Sequence, residues 1–183
     1  EETAFAWAAN VFGDATPSGK TPISFPQVGQ ETTEYWRMPY PSYMTPGFLA
    51  AYPFGHGLSY ASFIYQDIRQ KPRCNYPLCV VLTVLNSHPT NSGAEVVQVY
   101  FRFHNVTNYP PVLRGFYKTK VLRPGETDKA LFAFNHRDIS TYNDVAGETH
   151  KEASWTPQDE IEVMFGSSSS DIRGRLNVIT KHA

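Results

Sequence analysis

The chain has 183 residues, 16 Lys and Arg against 17 Asp and Glu, and a formal net charge of -1. Such a balance supplies no electrostatic footprint for DNA or RNA, and no apolar run approaches the roughly 20 residues that span a bilayer. Charged residues are 18% and aromatics 14%, which favours a packed core over disorder, while 12 Gly and 14 Pro favour turns over long helices.

The chain opens at Glu1 without Met or a charged-then-apolar leader, so a mature, cleaved or truncated product is expected. Phe5, Ala8, Ala9 and Phe12 recur on one face of a helix over Thr3 to Phe12. Gly13 stands where a helix ends on a left-handed residue. Thr16-Pro17-Ser18-Gly19 reads as a turn, and Thr21 to Pro26 as a short extended piece. A lone helix and strand cannot bury a core, so residues 1–26 call for the rest of a layered α/β domain.

Residues 27–57 contain no periodicity but many aromatics, among them Trp36, Tyr40, Tyr43, Tyr52 and Phe54. Disordered linkers avoid aromatics, so this stretch is read as an ordered connector strap. Its rings could stack on sugars, with Trp36, Tyr40 and Tyr43 the candidates, or could pack the strap on a neighbouring domain. His56 lies between Gly55 and Gly57, where the backbone turns sharply and another segment can come close. It could carry a proton or a ligand contact, or its ring could bond across a domain boundary.

From residue 58 the pattern becomes β. Strands are predicted from Tyr60, over Cys79–Asn86, Glu95–His104, Val112–Leu122, Ala130–Phe134, Asp159–Phe165 and Arg173–Ile179. In the third, Val97, Val99 and Phe101 alternate with Val96, Gln98, Tyr100 and Arg102. Arg123-Pro124-Gly125-Glu126 is a turn, and Asp138-Ile139-Ser140 a brief helical turn. Seven or so strands at this spacing predict a mainly β chain with an immunoglobulin-like sandwich over residues 58–183.

The two cysteines, Cys74 and Cys79, flank a turn-like Asn75-Tyr76-Pro77-Leu78. A short disulfide and two unpaired thiols both fit; the spacing does not fit a zinc site. Asn105-Val106-Thr107 is an N-glycosylation sequon, which tilts the expected localisation slightly toward secretion. The histidines lack H-x-x-x-H or H-E-x-x-H spacing, and no cofactor is expected. No G-x-S-x-G elbow and no phosphate loop is present. Asp14 is placed to cap a turn, and Glu31 and Glu34 lie in the strap.

Several segments together resemble glycoside hydrolase family 3, the three-domain β-glucosidases and β-xylosidases. They are residues 11–26 (VFGDATPSGKTPISFP), 52–63 (YPFGHGLSYASF), 93–101 (GAEVVQVYF), 113–126 (LRGFYKTKVLRPGE) and 166–172 (GSSSSDI), with Trp155. The chain departs from the family at Thr21, where Leu is usual, and at Gln158-Asp159-Glu160, where Gly often precedes the strand. The resemblance covers nearly the whole chain and implies a fibronectin type III-like sandwich after the end of an α/β domain. It implies a parent that cleaves terminal β-D-glucosyl or β-xylosyl residues by retention, with a β-linked oligosaccharide or glycoside as substrate. The family's nucleophile is an Asp on an N-terminal barrel and its acid/base commonly a Glu upstream of this segment. Neither motif matches a position here, so no catalytic residue is assigned. The expected partner is the catalytic domains of the parent; the alternative is a free-standing β-sandwich that binds glycan or protein.

Overall fold

A computed structural model describes residues 2–29, 42–45, 47–104, 106, 110–143 and 154–180. Helix α1 runs Glu2–Phe12 and ends at Gly13, whose φ of 87° is the left-handed value that stops a helix. Strands β1 (Phe25–Pro26) and β2 (Ala50–Tyr52) pair antiparallel, and a 3-10 turn spans Ser42–Met44.

The remaining strands are β3 (Phe63–Gln70), β4 (Leu78–Asn86), β5 (Val96–Phe103), β6 (Val112–Lys118), β7 (Thr127–Phe134), β8 (Ser140–Asn143), β9 (Ser154–Pro157), β10 (Glu160–Gly166) and β11 (Ile172–Ile179). One sheet has the order β3-β4-β7 and faces a second with the order β11-β10-β5-β6; β8 and β9 form a separate hairpin. All pairings are antiparallel. A bulge in β3 shifts its register between Gln66 and Arg69, and Asp67 there takes a φ of 55°, a conformation Asp tolerates better than most residues.

The core fills by period two. Leu78, Val80, Leu82 and Val84 from β4 meet Val97, Val99, Phe101 and Phe103 from β5, with Phe132 and Phe134 from β7 and Ile161, Val163 and Phe165 from β10. Phe101 and Phe134 pack with ring centroids 4.6 Å apart. Each such side chain, fully buried, contributes about 1.5–3 kcal/mol. A mainly β sandwich of three plus four strands is therefore the architecture.

The elements differ from the sequence expectation in several places, among them the strand expected from Tyr60, which begins at Phe63. The strand expected over Val112–Leu122 ends at Lys118, and Leu122 instead makes an isolated bridge with Gly93. Asp138 and Ile139 form part of a turn, but Ser140 begins β8. The β8–β9 hairpin was not foreseen, because its four-residue strands carry no alternation. The predicted apolar stripe of α1 is not a core face within this chain: α1 has no buried residue.

Among the described residues, no helix is long and apolar enough to cross a membrane.

Candidate functional site: the seam between the leading segment and the sandwich

Three sets of contacts build and brace the seam between residues 2–57 and the sandwich. The first is a backbone clasp at Gly55-His56-Gly57. Thr21 N donates to His56 O at 2.8 Å, and Gly55 N donates to Thr21 O at 2.9 Å. Gly55 has a φ of 77°, and a Cβ there would collide with the Gln98 amide; a Cβ on Gly57 would run into the Gly19 carbonyl and lie 2.7 Å from Lys20 Cδ. Both glycines are thus required by close approach. The atom of His56 that bridges to Thr21 is its carbonyl, while its ring packs beside Tyr52 at 5.2 Å.

The second is a buried charge cluster. Glu95, 3% exposed, accepts a hydrogen bond from Tyr65 Oη at 2.8 Å. Lys20 Nζ lies 3.8 Å and Arg173 Nη1 4.0 Å from the same carboxylate oxygen. Lys20 also donates to Ser167 Oγ at 2.6 Å. Arg173 pairs with Asp171 at 2.8 Å and sits 5.3 Å from the centre of the Tyr65 ring. Burial pushes the Lys20 ammonium below its ordinary pKa, against the pull of Glu95. Burial, and next the Glu95 charge, push the Tyr65 hydroxyl upward. A buried carboxylate without cations would be costly; here one cation comes from the leading segment and one from β11.

The third is the covered outer face of β5. Sequence alternation places Gln98 and Tyr100 opposite the core, yet they are 3% and 1% exposed. The Tyr100 hydroxyl donates to Gln98 Oε1 at 2.5 Å, and Gln98 Nε2 donates to Gly55 O and Ser167 O at 3.1 and 2.8 Å. Tyr43 stacks on Phe54 with centroids 4.6 Å apart and meets Tyr100 edge-on at 6.3 Å. Leu113 N donates to Tyr43 Oη at 3.4 Å. Outside these contacts, Tyr60 Oη donates to Asn10 O and Thr16 Oγ1 to Ser92 O, each at 2.6 Å.

Of the residues singled out from sequence, Tyr43 joins this packed face, and Trp36, Tyr40, Glu31, Glu34 and Asn105 lie outside the described residues. Asp14 is exposed beyond the end of α1. Cys74 and Cys79 form a disulfide with Cα atoms 6.3 Å apart, at the β3–β4 turn. Among the described residues no group of three or more His, Cys, Asp or Glu could hold a metal ion. The Lys20–Glu95 contact escaped the sequence reading because a single Lys and a single Glu far apart carry no pattern. The cluster neutralises and orients charge; its groups are engaged with one another rather than turned toward an open cavity.

Three antiparallel strands facing four, with residues 95–169 matching the fibronectin type III-like domain model, define the class: a fibronectin type III-like β-sandwich. The thermostable β-glucosidase B of Acetivibrio thermocellus is 30% identical over 91% of this chain and 24% of its own length. A β-glucosidase of Kluyveromyces marxianus is 33% identical over 88% of this chain and 20% of its own. The crystal structure of a GH3 β-glucosidase from Bifidobacterium adolescentis superimposes with a TM-score of 0.76 at 27% identity, over 96% of this chain and 27% of that one. The chain belongs to glycoside hydrolase family 3, in the portion that carries the fibronectin type III-like domain. It spans about a quarter of the length of these relatives.

Proposed function

We propose that this chain is the non-catalytic C-terminal part of a retaining β-glucosidase, and that it packs on the parent's catalytic domains and stabilises them. The division proposed is a remnant of the α/β domain at 1–26, a strap at 27–57 and the sandwich at 58–183. The observation that carries the reading is the state of α1. Phe5, Trp7, Val11 and Phe12 are 76%, 69%, 66% and 81% exposed, on a helix with no buried residue. A helix that carries large apolar side chains on opposite sides is stable when covered, and the relatives are about four times longer than the chain. The strap, through Tyr43, and the Lys20 cluster would then hold the sandwich at a set orientation to that body.

Retaining glycosidases need two carboxylates about 5–5.5 Å apart, and the motifs that bear them in the family are absent from this chain. The purified chain is therefore expected to show no turnover of an aryl β-glucoside. Coexpression with the polypeptide encoded upstream of Glu1 is expected to give a stable complex that hydrolyses it. Phe5→Ser with Trp7→Ser should prevent that complex. Turnover by the chain alone, or complex formation indifferent to α1, would refute the reading.

A further inference from the structure

At the opposite end of β3 from the seam, a groove of about 620 Å³ opens beside the Cys74–Cys79 disulfide. Gln70, Lys71, Asn75, Tyr76, His136 and Ile179 line it. β3 is eight residues long, so the groove stands on the order of 25 Å from the end of β3 that the leading segment covers.

We propose that this groove is a subsite for a neutral oligosaccharide, with the Tyr76 ring as its stacking platform. Tyr76 is 53% exposed although it sits on a tightly constrained loop. Pro77 follows it, which restricts Tyr76 to extended backbone. The disulfide closes the loop around it, anchored by Cys79 at 3% exposure. Lys71 N donates to Cys79 O at 2.9 Å and seals the base of the hairpin. A loop backbone held this firmly loses little entropy on binding.

The chemistry of the walls selects the ligand. The Gln70 and Asn75 amides, the His136 ring and the Lys71 ammonium can donate to or accept from hydroxyls, and among the described residues no carboxylate lines the groove. One formal cation is too little for a polyanion, which engages several. A pyranose offers an apolar face to the Tyr76 ring and hydroxyls to the rim. The site does not require the parent assignment; only the choice of β-glucans as first probes rests on it.

The test is affinity electrophoresis of the full 183-residue chain through native gels containing laminarin, lichenan or pullulan. Retardation is expected in at least one β-glucan gel. Tyr76→Ala should weaken it at least tenfold, Tyr76→Phe should preserve it, and Cys74→Ser with Cys79→Ser should weaken it several-fold. Tyr76 is on the surface, so its loss leaves the fold intact, and far-UV circular dichroism checks that. Retardation by pullulan alone would support the site and count against the β-glucoside parent. Unchanged mobility of the wild-type chain in all three gels would overturn the proposal. So would retardation that survives Tyr76→Ala, or that is lost only on Trp155→Ala, in the exposed Tyr142–Trp155 pair of the β8–β9 hairpin.

Discussion

Lys20, in the segment that leads into the strap, places its ammonium 3.8 Å from the carboxylate of Glu95, just ahead of β5, with side chains 12% and 4% exposed. Removing one partner of a buried pair leaves the other uncompensated. Glu95→Ala leaves the buried Lys20 without its counter-ion, while Arg173 keeps Asp171, and should cost about 3 kcal/mol. Lys20→Met leaves Glu95 with Tyr65 and Arg173 and should cost less, about 1–3 kcal/mol. Urea unfolding of both single variants and the double variant should give an interaction of at least about 0.5 kcal/mol; strict additivity would show that the pair does not couple.

The clasp at Gly57 tolerates no side chain, because a Cβ would meet the Gly19 carbonyl and the Lys20 stem. Gly57→Ala should destabilise by about 1–3 kcal/mol through overpacking. Gly125→Ala is a useful contrast. Its φ is 78° with open space around its Cβ, so its cost is backbone strain alone and should be about 1 kcal/mol. Thermal unfolding distinguishes them: a smaller loss at Gly57 than at Gly125 would contradict the close packing.

High pH should unfold the protein through its buried tyrosines. Tyr65 is raised by burial and then by the Glu95 charge; Tyr100 is raised by burial and then by Tyr43. A raised folded pKa means that stability is complete below the unfolded value near 10 and is lost as pH rises above it. Each tyrosine should remove about 1.4 kcal/mol per pH unit above pH 10. Lys20, lowered by burial, acts with the opposite sign: stability rises from its folded pKa up to the unfolded value near 10.4 and is then flat. Urea titrations between pH 10 and 11.5 should show the steep loss, and Tyr100→Phe should remove about half of the slope whatever it does to stability at neutral pH.

Reduction of the Cys74–Cys79 disulfide opens a small loop and should cost about 2 kcal/mol in the chain-entropy account. Denaturation with and without dithiothreitol measures it directly. Cys74→Ser with Cys79→Ser should match the reduced wild type and be insensitive to the reductant.

The β5 strand shows where sequence reading succeeds and where it stops. Val97, Val99 and Phe101 alternate with polar residues, and they do face the core. The same alternation implies a solvated outer face, but Gln98 and Tyr100 are buried because the strap lies across them. Local pattern encodes which side chains point together; it does not encode what a distant segment lays over them. For the same reason the apolar stripe of α1 was legible, while its exposure in this chain was not.

The readings that follow from the chain alone are local: the left-handed stop at Gly13, the Arg123–Glu126 turn, which closes with Glu126 N donating to Arg123 O at 2.9 Å, and the two-residue period that sends alternate side chains of β5 and β7 into the core. These depend on backbone stereochemistry and on neighbours one or two residues away. Only the tertiary structure decided that Lys20 meets Glu95, that Gly57 must be glycine because Gly19 passes over it, and that Cys74 and Cys79 are joined beneath an exposed Tyr76. Those relationships arise when segments far apart in the chain are brought together by burial of the sandwich core. Single residues such as Lys20 and Glu95 carry no periodic mark of that meeting.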